Sequence, residues 1–234
     1  MSKKAIVLIS GGLDSCVSSF IAKDKGYELY GISFYYGQRH EKEIECAKKI
    51  CKTLDVRDHI ILDIDFNKFS KTSLLKSSLN NISNHDLDEI GKKIPSTYVS
   101  GRNTVFLSLA LSYAESIDAD YIFLGVNSVD YSGYPDCRPE YIKAFQEMAN
   151  LALKKAIEGN PIKIETPLIN LKKYEIIKIG SRLKTPFADT WSCYRGQKKA
   201  CGRCDSCLIR LKGFKEAKIK DPLYYDYLPK WYIS

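Results

Sequence analysis

Four cysteines fall within fifteen residues near the C-terminus, Cys193-Tyr-Arg-Gly-Gln-Lys-Lys-Ala-Cys201-Gly-Arg-Cys204-Asp-Ser-Cys207. Two Cys-x-x-Cys steps share Cys204, and this one segment holds half of the eight cysteines in the chain. Thiolates spaced so closely form the pattern of a metal site rather than of disulfides. Four sulfurs with no open position suit structural Zn²⁺. The spacing Cys201-x-x-Cys204-x-x-Cys207 also admits an iron–sulfur cluster. A closed site of this kind fixes a knuckle and leaves the chemistry to another part of the chain.

That part is expected near the N-terminus, at Ile6-Val7-Leu8-Ile9-Ser10-Gly11-Gly12-Leu13-Asp14-Ser15. A glycine pair between a strand and a helix permits a left-handed turn and lets a ligand approach the backbone. The loop amides and the helix N-terminus then face an anion together. Ser10 and Ser15 can add hydroxyl donors. The Asp14 carboxylate would repel a bare phosphate, so it is expected to hold Mg²⁺ beside one. Neither a Walker A sequence nor a Gly-x-Gly-x-x-Gly fingerprint occurs here, and an ordinary strand–helix turn is the plain alternative.

The elements that must position these residues alternate along the chain. Ala5–Ser10 reads as a buried strand entering a turn, Asp14–Lys23 as a helix with Val17, Phe20 and Ile21 on one face, and Glu28–Tyr36 as a second strand. Glu41–Leu54 reads as a helix apolar at Ile44, Ala47, Ile50 and Cys51, and Arg57–Ile64 as a third strand. The polar stretch 76–94 is expected to be a surface loop. The alternation then resumes with helix Asn103–Ala114, strand Tyr121–Gly125, helix Pro139–Glu158, strand Ile162–Glu165, helix Lys172–Arg182 and a final helix Leu208–Ala217. Such alternation predicts an α/β fold, a doubly wound parallel sheet with helices on both faces. Residues 1–186 would form the main domain, with 187–234 a zinc knuckle and C-terminal helix packed on it.

With 234 residues, 44% of them hydrophobic, the chain can bury one substantial core. No run approaches the roughly eighteen apolar residues of a membrane span. The N-terminal apolar run is too short for a signal peptide. A cytoplasmic protein with reduced cysteines is expected. Residues 171–234 hold 15 Lys and Arg against 6 Asp and Glu, whereas residues 1–170 hold 21 against 22. The excess positive charge therefore accompanies the cysteines, where it can attract nucleotide phosphates or nucleic acid. Base-reading motifs are missing, so direct tRNA binding is the minority expectation.

The run Ser10-Gly11-Gly12-x-Asp14-Ser15 resembles the pyrophosphate-binding (PP) loop of the ATP pyrophosphatases, which adenylate a substrate oxygen. Further stretches narrow the resemblance: Tyr36-Gly37-Gln38-Arg39-His40, Ser96-Thr97-Tyr98-Val99-Ser100-Gly101-Arg102-Asn103, and Asp130-Tyr131-Ser132-Gly133-Tyr134-Pro135-Asp136-Cys137-Arg138. Thr166-Pro167-Leu168 with Lys173 and Glu175, and Trp191 through Cys207, belong with them. From residue 5 to about residue 222 the chain is similar to the 7-cyano-7-deazaguanine synthases, a family of the queuosine pathway. One departure is Ser100, where that family usually has Pro. It should loosen the turn before Arg102 without removing a functional group.

The resemblance implies a homodimeric ligase that converts 7-carboxy-7-deazaguanine and ammonia to the nitrile through two adenylations. Its cofactors would be ATP with Mg²⁺, beside structural zinc on Cys193, Cys201, Cys204 and Cys207. Leu8, Ile9, Ser10, Gly11, Gly12, Leu13, Asp14, Ser15, Cys16, Val17 and Ser18 would bind ATP. Asp14, Lys173 and Arg102 are the expected catalytic residues. Lys173 reaches the diphosphate or is a solvated surface lysine; Arg102 and Arg138 clamp the substrate carboxylate or a phosphate. Asp130 and Asp136 read the deazaguanine edge or cap a turn. Arg39 binds substrate, and His40 beside it is either a site residue or a helix N-terminal histidine. The 76–94 loop would be a lid that excludes water. Cys137 is expected in the pocket wall, Cys16, Cys46 and Cys51 in the core, and His59 and His85 in structural or exposed positions. Two rivals are a tRNA thiolase using a cysteine or a cluster, and a non-catalytic zinc protein that binds nucleotide or RNA.

Overall fold

A strand with no polar side chain along its length is satisfied only in a sheet covered on both faces. In the computed structural model, which describes residues 2–38, 42–68, 70, 72–75, 87, 89–90, 94–128, 133–195 and 198–233, Ala5 to Ile9 are all buried. They supply the central strand β1 (Lys4–Leu8). Around it lie β2 (Glu28–Tyr35), β3 (Asp58–Asp63), β4 (Tyr121–Phe123) and β5 (Lys163–Glu165), all parallel, in the order β3-β2-β1-β4-β5. Ala5 is in register with Leu29 on one side and Tyr121 on the other. The chain runs outward from β1 to β3 and then returns to the far side of β1. Strand order therefore reverses between β1 and β4, where a parallel sheet opens a crevice at its carboxyl end.

Alternation along β1 divides the core. Ile6 and Leu8 pack with Ile32, Phe34, Leu107 and Leu111, beneath helix α3 (Arg102–Ser116). Ala5, Val7 and Ile9 face the other way, onto Cys16 of α1 (Leu13–Asp24) and Ala47, Ile50 and Cys51 of α2 (Lys42–Leu54). Burial raises the Cys46 thiol to about 11 and the Cys51 thiol to about 12, so both are packing groups at neutral pH. His59 has a structural place, its Nε2 lying 2.8 Å from the Ser33 hydroxyl.

The expected helix over 139–158 is two helices, α4 (Pro139–Ala152) and α5 (Lys154–Ile157), separated by Leu153 in an extended conformation. Tertiary partners explain the break. The Lys155 amide donates to the Glu115 side chain at 3.0 Å, and Lys155 Nζ reaches the Ala119 carbonyl at 2.8 Å and Asp118 at 2.7 Å. Helix α6 (Lys173–Arg182) falls where expected. The next, α7 (Asp205–Ala217), starts earlier than expected because Cys204 is its N-cap and Cys207 lies in its first turn. A short α8 (Lys230–Ile233) was not anticipated. Most of 76–94 lies outside the described residues, and with it the expected lid and His85. Among the described residues no helix is long and apolar enough to cross a membrane.

One buried ion pair holds the C-terminal part in place. Arg210, on α7, is 2% exposed. Its Nε donates to Asp221 Oδ2 at 2.8 Å and its Nη2 to Oδ1 at 3.0 Å. Nη1 reaches Thr190 Oγ1 at 2.7 Å, Nη2 also meets the Phe187 carbonyl, and Tyr225 donates its hydroxyl to Asp221. Removing one member strands a desolvated charge. Asp221→Ala should therefore lose about 3–5 kcal/mol in urea unfolding. The double change Arg210→Met with Asp221→Leu should lose clearly less than the single one.

Candidate active site and metal centre

The loop between β1 and α1 is shaped by glycine. Gly11 has φ +85°, and a Cβ added there would overlap the Glu43 carbonyl oxygen at the start of α2. Its own carbonyl accepts the Trp191 amide at 2.9 Å. Gly12 is the N-cap of α1 and offers no side-chain cap, so the first-turn amides are left to a ligand. Ser15 braces the loop, its hydroxyl donating to the Gly12 carbonyl and lying 2.9 Å from that of Ser10. At the end of β4, a Cβ on Gly125 would come within 2.7 Å of the Ser15 nitrogen. The two strand ends at the switch point thus close directly around the loop.

In front of the loop lies a cavity of about 280 Å³. Ser10, Gly12, Asp14 and Ser15 form its floor, Tyr36, Glu43, Arg102 and Tyr134 one side, and Lys173, Trp191, Ser192 and Arg210 the other. Lys173, the first residue of α6, donates to both Asp14 oxygens, at 2.6 and 2.7 Å. Arg102 opens α3 and its Nη1 meets the Tyr36 hydroxyl at 3.4 Å. Burial raises the Tyr36 phenol to about 12. Burial likewise raises the Glu43 carboxyl to about 7, against the opposing pull of Arg102.

Of the expected ATP-binding run, Leu8 to Ser10 and Gly12 to Ser15 line the cavity, and Gly11 supports it from behind. Cys16 and Val17 lie in the core, and Ser18 is buried with its hydroxyl on the Leu124 carbonyl. Lys173 and Arg102 both line the cavity. Asp136 is buried, but its Oδ2 accepts the Asn103 amide at 2.9 Å, which makes it a cap of α3. Cys137 lines the cavity and receives the Asn103 side-chain amide. Arg138 is exposed and turns its Nε onto the Pro135 carbonyl, away from the cavity wall. Arg39, His40 and Asp130 lie outside the described residues. Glu43, Trp191, Ser192 and Arg210 were not anticipated on the wall. A lone glutamate in an amphipathic helix and an arginine in a basic one carry no signature by themselves.

The four cysteines converge as their spacing implied. All four are buried, and their sulfurs lie within 4.8 Å of one another, Cys201 and Cys207 at 3.9 Å. Zinc–thiolate bonds of about 2.3 Å arranged tetrahedrally would place sulfurs about 3.8 Å apart, so the cluster fits such an ion. Amides of Arg195 and Cys201 point at the Cys193 sulfur, and those of Arg203 and Cys204 at the Cys201 sulfur. Such donors favour the thiolates that bind metal. The centre adjoins the cavity through Trp191, whose indole donates to the Cys193 carbonyl at 3.0 Å. The Lys42 ammonium lies 3.5 Å from the centre of the same ring.

Fold and site define an α/β protein with an anion-binding loop at the switch point of its sheet and a four-cysteine centre in the wall beside it. The family described as "Queuosine biosynthesis protein QueC" matches residues 4–218. Over 227 residues the chain is 51% identical to a 7-cyano-7-deazaguanine synthase of Coxiella burnetii (strain RSA 331 / Henzerling II), covering 95% of this chain and 98% of that one. Over 220 residues it is 49% identical to that of Trichodesmium erythraeum (strain IMS101), covering 94% and 99%. The chain belongs to the QueC family. Family membership sets aside the tRNA thiolase and the non-catalytic zinc protein. Among solved structures, NMN synthetase from Francisella tularensis has the same fold, with a TM-score of 0.51 at 15% identity over 94% of this chain and 79% of that one.

Replacing one sulfur tests the metal centre. The protein should carry about one metal ion per chain by elemental analysis, and Cys204→Ser should reduce that content and lower the melting temperature, since metal-binding free energy in such a knuckle is also folding free energy.

Proposed function

We propose that this chain is a 7-cyano-7-deazaguanine synthase that joins ammonia to 7-carboxy-7-deazaguanine at the expense of ATP. The observation that carries this reading is the Asp14–Lys173 pair set against a bare helix N-terminus at the switch point of the sheet. Anion-binding amides, one cation and one carboxylate side by side suit a nucleotide diphosphate with Mg²⁺. Lys173 would hold the diphosphate and Asp14 the Mg²⁺. The ion itself would neutralise the phosphate charge as the leaving group departs.

The chemistry follows from the substrate. A carboxylate is a poor electrophile because oxide would have to leave. Adenylation makes that oxygen part of AMP, and ammonia then displaces AMP to give the amide. A second adenylation, on the amide oxygen, allows elimination to the nitrile. Arg102, held by Tyr36, is the cation placed to clamp the carboxylate. The apolar wall of Phe34, Phe106 and Val126 keeps water from the adenylates. The four cysteines are read as a closed structural zinc site that holds Trp191 and Ser192 in the wall. A cytoplasmic homodimer belongs to the same reading.

Product analysis decides it. Carboxylate, ammonia and ATP should give the nitrile with two AMP and two diphosphate, and synthetic amide should give it with one of each; ADP as product would overturn the assignment. Gly12→Val should stay folded yet lose turnover, because its side chain would occupy the phosphate's approach. Arg102→Met should slow carboxylate turnover about 10- to 100-fold more than amide turnover, since the neutral amide offers no charge to pair.

A further inference from the structure

Two carboxylates line the cavity among the described residues, and they differ in what they can do. Asp14 gives both oxygens to the Lys173 ammonium. Glu43 comes from the first turn of α2, where its carbonyl oxygen lies against Gly11, and its side chain enters the wall on the Arg102 side. No hydrogen bond or ion pair from the described residues reaches its carboxylate. The other candidates for a proton acceptor are poor ones. No histidine occurs among the described cavity residues, the Tyr36 phenol is raised to about 12, and the Cys137 sulfur receives the Asn103 amide.

Nitrogen insertion needs such an acceptor. When ammonia adds to an acyl adenylate, the nitrogen becomes ammonium-like and must lose a proton before the amide is neutral. We propose that Glu43 is the proton acceptor for the nitrogen nucleophile in this cavity. The proposal rests on the ligase reading above. The C–N bond forms, and the bond from the carboxyl carbon to the AMP oxygen breaks, its electron pair leaving with AMP. One proton passes from nitrogen to the Glu43 carboxylate and from there to water. Acyl adenylate and ammonia thus become amide, AMP and one proton.

The surroundings suit this task. Burial raises the carboxyl to about 7, and Arg102 on α3 opposes that rise. Tyr36 at the end of β2, Tyr134, Cys137, Tyr194, Arg210 and the Asp14–Lys173 pair are the other titratable groups that line the cavity among the described residues. An acceptor of about 7 is ionised in a useful fraction of molecules at neutral pH and still returns its proton to water.

The test replaces Glu43 with Gln and compares two nucleophiles. Hydroxylamine is largely uncharged at neutral pH, is more reactive than ammonia, and depends far less on a base. Glu43→Gln should keep its melting temperature and capture the adenylate as hydroxamate at close to the unmodified rate. Amide formation from ammonia should slow about 10²- to 10⁴-fold, and Glu43→Asp should recover part of it. Equal slowing with both nucleophiles, or normal ammonia turnover, would overturn the proposal. The unmodified enzyme gives a second readout. At fixed free ammonia its amide-forming rate should rise with pH through about 7, whereas hydroxylamine capture should not; a flat ammonia profile would also overturn it. An unmodified enzyme that forms neither AMP nor hydroxamate would sink the ligase reading itself, a result distinct from any effect of Glu43.

Discussion

At Gly11 three separate parts of the chain meet in the space of one missing side chain. The Glu43 carbonyl of α2 occupies the place a Cβ would take, and the Trp191 amide bonds to the glycine's own carbonyl. The left-handed backbone at this position turns the following residues into the first turn of α1. The anion-facing amides, the wall that carries Glu43 and the segment that leads into the cysteines are thereby fixed by one contact. None of them can shift without moving the others.

The knuckle acts on the cavity through this junction rather than through its sulfurs. Trp191 is pinned on one side by its bond to the Cys193 carbonyl and on the other by the Lys42 ammonium over its ring. Arg210 then fixes Thr190 and lies near Ser192 from the helix that Cys204 caps. A metal between the four thiolates would keep these two neighbours of the cavity in register. The buried charges of Arg210 and Asp221 are paired within fixed geometry, as a low-dielectric site requires.

Much of this could be read from residue order. The apolar strand before a glycine pair, the strand–helix alternation and the cysteine spacing each follow from local physics, and each falls close to its expected place. Partners distant in sequence were illegible. From sequence Asp136 can read a base edge or cap the turn beside it, whereas its Oδ2 accepts the Asn103 amide thirty-three positions away. Arg210 sits in a helix beside Lys212 and Lys215 with no local mark of burial, yet its partner Asp221 draws it inside. Leu153 interrupts a regular helical pattern where Glu115 takes the Lys155 amide. Glu43 was hidden for a related reason, since the glycine loop its backbone packs against is some thirty residues upstream.

The Arg210–Asp221 pair also orders events in time. A ribosome delivers Arg210 before its counter-charge, so α7 cannot seat that guanidinium among Phe187 and Thr190 without stranding it until residue 221 has emerged. The sheet and the glycine loop, all made earlier, can condense first. The side of the cavity formed by Trp191, Ser192 and Arg210 is therefore the last part to set, and on that side a nascent chain holds an open crevice until residue 221 has emerged.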